Sequence, residues 1–174
     1  IAHDPRRMSR EFAHEAACVL AANGVKAYVF NDIRTTPELS FAIRYLNCVS
    51  GIVVTASHNP PEYNGYKVYW EDGAQIATEQ AEEIIDSIAK VKDFRDIEIL
   101  DRDEAKKKGL LIYLDEKIDD AYIEEVKKQA LRKDLLKEVS DDFKVVYTPL
   151  HGTGNRPVRR VLREIGFDNI FVVP

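Results

Sequence analysis

Cysteine is scarce in this sequence, which has two among its 174 residues, Cys18 and Cys48. Both lie in apolar segments of helical character, far from any metal-ligand spacing, so we predict buried, reduced thiols in a cytoplasmic protein. The scarcity excludes a small disulfide-stabilised scaffold.

An excess of positive charge and long hydrophobic runs are also lacking. The formal net charge is −5 and no basic stripe carries interleaved aromatics, so nothing supports nucleic-acid binding. No apolar run approaches the ~20 residues of a membrane span, and no signal-peptide pattern opens the chain. We therefore expect a globular protein without a nucleic-acid or membrane partner.

The alternation of predicted strands and helices indicates an α/β fold, a three-layer sheet of mainly parallel strands wound with helices. Strands are predicted at residues 1–3, 26–30 and 52–55, with helices between them from Ser9 and from Thr36, each residue acting as an N-cap. In the first helix, the apolar stripe is predicted to consist of Phe12, Ala16, Val19 and Leu20. Thr78 is predicted to cap a further helix whose inner face is Ile84, Ile85 and Ile88.

Both ends of the chain look cut, so we expect an internal fragment of a longer protein. A new β-α-β pattern starts at Phe143, which predicts a domain boundary within about four residues of Ser140. Residues 1–139 are then expected to comprise a first domain without its N-terminal part together with a helical connector, and residues 140–174 the truncated start of a second, similar α/β domain. Within the connector, the charged stretch 119–137 is predicted to be an amphipathic helix with many salt bridges, a solvated connector without chemistry.

One loop breaks this pattern at the end of a buried strand. Ile52-Val53-Val54-Thr55 is a β-branched run, and Ala56-Ser57-His58-Asn59-Pro60-Pro61 cannot continue it because prolines remove backbone donors. A serine in such a turn often only bonds its own backbone. His58 and Lys67 nearby, with Arg6 and Arg7 predicted at the same sheet edge, instead favour phosphate chemistry, because arginine, lysine and backbone amides hold phosphates well.

The motifs themselves carry a resemblance. Thr55-Ala56-Ser57-His58-Asn59-Pro60, followed by Asn64-Gly65-Tyr66-Lys67, resembles the phosphoserine loop of the α-D-phosphohexomutase family, the phosphoglucomutases and phosphomannomutases. Asp4-x-Arg6 resembles a loop that this family carries one strand earlier. Residues 65–76 and Thr148 to Gly154 resemble the branch that holds the phosphoglucomutases and phosphopentomutases.

The resemblance implies a phosphosugar mutase that moves a phosphoryl group between the 1- and 6-positions of a hexose phosphate, or the 1- and 5-positions of a pentose phosphate. Ser57 would carry the phosphate and pass it to the sugar phosphate, giving a bisphosphate such as glucose 1,6-bisphosphate. Lys67 is the better candidate for general acid or base if its surroundings let it release a proton, and His58 shares that role or binds phosphate. Arg6 would clamp the phosphoserine, with Asn59 and Asn64 as further phosphate ligands.

The same resemblance implies Mg²⁺, held by the phosphate on Ser57 and by an Asp-x-Asp-x-Asp-Arg loop that does not occur in this sequence. We therefore expect the chain alone to be nearly inactive. The alternative is a non-catalytic module on the same fold that binds sugar phosphates or other anions.

The remaining histidines carry weaker predictions. His3 is predicted to pack rather than face the site, and His14, beside Glu11 and Glu15, to lie on the surface. His151, in a glycine-rich loop, is either near a site or part of a structural turn.

Overall fold

The computed structural model describes residues 1–139 and 142–173. The chain divides into two compact units, Ile1–Leu114 and Asp115–Pro174. The boundary predicted at Ser140 lies outside the described residues and stays a prediction.

The first unit contains five strands and four helices among its described residues. The strands are β1 (Ala2–His3), β2 (Ala27–Phe30), β3 (Ser50–Val54), β4 (Tyr66–Trp70) and β5 (Leu111–Leu114). The helices are α1 (Ser9–Ala22), α2 (Thr36–Tyr45), α3 (Thr78–Ile88) and α4 (Arg102–Lys107), with a 3₁₀ turn at Phe94–Asp96. The second unit contains α5 (Glu116–Lys127), α6 (Lys133–Val139), β6 (Val145–Tyr147), α7 (Asn155–Glu164) and β7 (Ile170–Val172).

Parallel pairing dominates the sheets, as predicted. β1 pairs with β3, β2 with β5 and β6 with β7 in parallel, whereas β4 runs antiparallel to β3. The backbone N–H of Phe30 donates to the carbonyl of Ile1 over 3.1 Å, which places β2 beside β1. The carboxyl ends of β1, β2 and β3 therefore meet at one edge of the first unit.

Helices cover both faces of β3, which completes the predicted three layers. Ala13 of α1 packs against Ile52 and Val54 on one face. On the other face, Ile43 of α2 lies so close to Gly51 that an added Cβ would be 2.3 Å from its Cδ1. Gly51 thus allows α2 to approach the sheet.

The buried face of α1 differs from the predicted stripe. Phe12 is 48% exposed, and the most deeply buried apolar positions of the helix are Ala13, Ala17 and Ala21. The larger apolar side chains were predicted to face the sheet. The helix instead packs on the sheet through its alanines, because small side chains permit a shorter distance between layers.

The predicted helix caps are each displaced by one residue. Met8, with φ of 66°, is the N-cap of α1, and Ser9 is its buried first residue. Thr35 rather than Thr36 caps α2, since its hydroxyl accepts from the backbone N–H of Glu38 over 3.3 Å. Thr78 likewise opens α3, after an N-cap at Ala77.

The segment predicted as a connector does more than join two domains. Ala105 and Leu111 are buried in the core of the first unit, where β5 extends the sheet. In the second unit, α5 is amphipathic and carries ion pairs as predicted, such as Lys127 with Glu124 and Glu164, but its buried Ile118 and Ile123 show that it is more than a solvated connector.

Helix α3 differs from its prediction in the opposite direction. None of its residues is buried, and Ile85 and Ile88 are 61% and 64% exposed. The predicted inner face is therefore not packed in the described part of the chain. No helix among the described residues has the length and apolarity to cross a membrane.

Candidate active site

The Ser57 loop, residues 55–65, connects β3 to β4 at the carboxyl end of β3. The backbone N–H of Thr55 donates to the carbonyl of Gly65 over 2.9 Å, which closes the base of the loop. Within it, Asn59 N–H donates to the Ala56 carbonyl and Tyr63 N–H to the Pro60 carbonyl, both over 3.1 Å. The loop is therefore a closed pair of turns.

Ser57 stands at the exposed tip of this loop in an unusual backbone conformation. Its φ is 56°, in the left-handed region that residues other than glycine rarely adopt, at a cost of order 1–3 kcal/mol. Its N–H donates to the Thr55 hydroxyl over 2.9 Å, and its Oγ lies 3.2 Å from Nδ1 of His58. This geometry presents a solvent-facing hydroxyl beside an imidazole that can exchange a proton with it.

The Arg6 guanidinium is hydrogen-bonded to four backbone carbonyls of the loop. Its Nη1 donates to the carbonyls of Pro60 and Tyr63, at 2.8 and 3.1 Å, and its Nη2 to those of Ser57 and Asn59. Its Nε lies 3.3 Å from the Asp4 carboxylate. A guanidinium has five N–H donors; the four on Nη1 and Nη2 are taken by loop carbonyls, and the fifth, on Nε, lies beside Asp4, so no Nη donor is left for a phosphate on Ser57 in this conformation. The predicted clamp would act through charge rather than through N–H donation.

The Asp4 carboxylate lies at the centre of a buried hydrogen-bond network. Its Oδ1 accepts from the backbone N–H of Arg6 over 3.0 Å and from the Ser9 hydroxyl over 2.7 Å. Its Oδ2 accepts from the Thr55 hydroxyl over 2.7 Å. No role in such a network is predicted from the sequence for Asp4, Ser9 or Thr55. The available signal was the threonine two residues before Ser57, because hydroxyls in turns often accept from the residue two positions on.

The two asparagines predicted to bind phosphate lie in different environments. Asn64 is half-buried; its Nδ2 donates to Ser9 Oγ over 2.9 Å and to the Arg7 carbonyl over 3.2 Å, and its Oδ1 accepts from the Gly65 N–H. These contacts tie Asn64 to the base of the loop. Asn59 is exposed, and its side-chain amide makes no hydrogen bond to any described residue. Of the two, Asn59 is the one free to bind an anion.

Lys67 lies on β4 directly opposite Val53 and is half-buried. Its ammonium forms neither a hydrogen bond nor an ion pair within residues 1–139 and 142–173. The side chain is consequently not committed to a structural contact, which suits the predicted acid–base role.

The described residues do not supply a metal site. Nowhere in the described ranges do three His, Cys, Asp or Glu side chains come together in a way that could hold an ion. Asp4, whose carboxylate is hydrogen-bonded to Thr55 at the start of the loop, already accepts from two hydroxyls and a backbone amide. These residues do not fit a Mg²⁺ ion by themselves.

The other sequence candidates lie apart from the loop or in its support. His3 is 3% exposed, and its Nδ1 lies 3.0 Å from the Asp4 carbonyl, consistent with a packing role. His14 is 4% exposed, so its predicted surface position is wrong; Tyr113 covers it, with ring centroids 5.6 Å apart. His151 is exposed in a turn after β6. Cys18 and Cys48 are free thiols, and burial raises the pKa of both.

Comparison with known proteins identifies the family. Residues 1–95 match the family model described as phosphoglucomutase/phosphomannomutase, alpha/beta/alpha domain I. A phosphoglucomutase of Staphylococcus haemolyticus is 39% identical over 174 residues, and one of Staphylococcus saprophyticus is 37% identical over 169. These matches cover 99% and 97% of this chain but 30% of each relative, so the chain spans about a third of their length.

Solved structures agree with the sequence matches. A Thermus thermophilus protein, provisionally named a phosphomannomutase, superposes with a TM-score of 0.76 at 31% identity, covering 99% of this chain and 36% of that one. The Paramecium phosphoprotein pp63/parafusin, a phosphoglucomutase, superposes with a TM-score of 0.76 at 20% identity over 98% of this chain and 35% of its own, and shares the fold. The chain belongs to the phosphoglucomutase/phosphomannomutase family, and residues 1–95 are its α/β/α domain I.

Proposed function

We propose that the full-length protein moves a phosphoryl group between two positions of a hexose or pentose phosphate through a phosphate ester on Ser57. The observation that carries this proposal is the strained, exposed conformation of Ser57, at φ of 56°, with its Oγ 3.2 Å from an imidazole nitrogen. Strain of this kind persists where the surrounding structure enforces it, and it concentrates at functional positions.

The reaction needs positioning and two proton transfers. A sugar hydroxyl attacks the phosphorus of phosphorylated Ser57, its proton passes to a base, and the Ser57 oxygen leaves and takes up a proton. In the second half, the Ser57 hydroxyl attacks the other phosphate of the bisphosphate and the protons move in reverse. His58 lies next to the Ser57 oxygen, and the uncommitted Lys67 ammonium is the second acid–base group.

The ligands of this site follow from the same proposal. Asn59, whose side-chain amide makes no hydrogen bond to a described residue, binds the phosphate directly, and Arg6 contributes positive charge. Mg²⁺ would neutralise charge on the Ser57 phosphate with ligands from outside this chain, and glucose 1,6-bisphosphate would supply the initial phosphate. Because this chain carries only the phosphoryl-donor half, we expect no steady turnover of glucose 1-phosphate by the 174-residue chain alone.

Steady-state turnover of sugar phosphates by the full-length protein tests this proposal. We expect Ser57→Ala to abolish turnover at unchanged folding, because it removes the hydroxyl that lies 3.2 Å from Nδ1 of His58. Ser87→Ala is the matched control, since Ser87 lies on α3 and its Oγ only donates to the Glu83 carbonyl over 2.9 Å. Normal turnover by Ser57→Ala would refute the proposal. Sugar-phosphate binding without turnover by the wild type would favour the non-catalytic alternative.

A further inference from the structure

We infer that Thr55 and Asp4 are positioning residues for the phosphoryl transfer: the carboxylate fixes the direction of the Thr55 hydroxyl, and that hydroxyl holds the backbone of Ser57. This inference rests on the proposed function. Neither residue contacts the Ser57 oxygen, so each acts through another group.

The direction of the hydrogen bonds is set by Asp4. An ionised carboxylate only accepts, so the hydroxyl that meets it must donate its single proton to it. Thr55 donates to Oδ2 over 2.7 Å, which leaves a lone pair of its oxygen to accept the Ser57 N–H over 2.9 Å. The chain of bonds therefore runs in one direction, from the Ser57 amide through Thr55 to Asp4.

The second oxygen of Asp4 repeats this arrangement at the other end of the loop. Ser9 donates to Oδ1 over 2.7 Å, and its oxygen in turn accepts from Asn64 Nδ2 over 2.9 Å. One buried carboxylate thus fixes both the start and the end of the Ser57 loop. Thr55 and Ser9 are themselves 8% and 0% exposed, so water cannot easily replace either hydroxyl.

The consequence for chemistry is geometric. The φ of 56° at Ser57 is disfavoured by the residue itself, and the bond from its N–H to Thr55 compensates part of that cost. Without this bond the backbone would relax toward negative φ and turn the Oγ away from its present place beside His58. A displacement of about 1 Å at a reacting atom can cost on the order of 100-fold in rate.

Two variants of Thr55 in the full-length protein test the inference. Thr55→Val keeps the shape but removes the hydroxyl, and we expect kcat to fall about 10- to 100-fold with KM within about threefold of wild type. Thr55→Ser restores the hydroxyl, and we expect kcat within about threefold of wild type. A purely structural role would lower stability without this split between kcat and KM. Wild-type kcat in Thr55→Val, or equal losses in both variants, would overturn the inference.

A measurement on the wild type keeps the inference testable if Thr55→Val does not fold. In amide hydrogen exchange by NMR, the Ser57 N–H should exchange at least about tenfold more slowly than the N–H of His58, which has no partner among the described residues. Equal exchange rates would contradict the inference. If wild-type protein neither turns over sugar phosphates nor accepts phosphate on Ser57, the proposed function fails instead, whatever the exchange rates.

Discussion

Replacing Arg6 with lysine separates the role predicted from the sequence from the one that the contacts favour. A phosphate clamp needs positive charge near Ser57, which lysine retains. A brace needs the planar fork that donates to four carbonyls of the Ser57 loop, which lysine cannot reproduce with three donors at one point. We therefore expect Arg6→Lys to open the loop.

The size of the effect follows from the number of hydrogen bonds that lysine cannot make. A lysine at this position would keep about two of the four bonds to loop carbonyls, and each hydrogen bond to a charged group contributes roughly 1.5 kcal/mol at the lower end of its range. Removing the other two destabilises the closed loop by about 3 kcal/mol, which corresponds to about 100-fold in the closed–open equilibrium.

Hydrogen exchange on the unphosphorylated full-length protein is the assay. We expect the amides of Asn59 and Tyr63, which close the two turns of the loop, to exchange about 100-fold faster in Arg6→Lys. Turnover should fall at least about tenfold. Arg10→Lys, a substitution at an exposed position of α1, is the control and should change neither the exchange rates of these amides nor the turnover.

The reasoning is refuted if loop exchange in the unphosphorylated protein is unchanged by Arg6→Lys. A loss confined to phosphate transfer, with loop protection intact, would show that Arg6 acts as the clamp predicted from the sequence.

Three further changes test other parts of the structure. In Gly65→Ala the new Cβ would lie 2.6 Å from the Thr55 carbonyl oxygen, so the free energy of unfolding in urea should fall by about 1–3 kcal/mol and phosphorylation of Ser57 should slow. An unchanged free energy of unfolding and phosphorylation rate would contradict the close approach. In Gly51→Ala the new Cβ would lie 2.3 Å from Cδ1 of Ile43, so this change should destabilise the protein, and adding Ile43→Val, which removes Cδ1, should recover part of the lost stability. If the stability losses of the two substitutions simply add, the contact is contradicted. Burial, followed by nearby positive charges, lowers the pKa of His14 from 6.5 to about 4, so the unfolded chain binds this proton more readily than the folded one. The free energy of unfolding should therefore fall as the pH drops from about 6.5 to 4, and His14→Gln should lack this pH-dependent component. Titration of His14 near 6.5 by NMR would contradict the prediction.

The sequence was enough to predict the parallel α/β core and the position of the loop. Alternation of apolar runs with capped helical segments predicts the parallel pairs, because each run must be buried between helices. Two prolines after a β-branched run predict the loop at the end of β3, since they cannot continue a central strand. The motif around Ser57 then predicts the family.

Predictions from the sequence are wrong where a contact between residues far apart in the chain decides the role of a side chain. Ser9 has the features of an N-cap, but it is buried and its hydroxyl donates to Asp4 instead. The donors of Arg6 go to carbonyls more than 50 positions away in the chain, and backbone carbonyls leave no trace in the residue pattern. His14 resembles a surface residue among its charged neighbours, and only the packing of β5 beneath α1 shows that it is buried.

The most direct test of the central claim is to follow the phosphate itself. Full-length protein incubated with glucose 1,6-bisphosphate carrying ³²P should acquire label on Ser57, located by peptide fragmentation, and a chase with unlabelled glucose 1-phosphate should transfer that label to the sugar. Label on another residue, or turnover at the normal rate with Ser57 never labelled, would contradict the account.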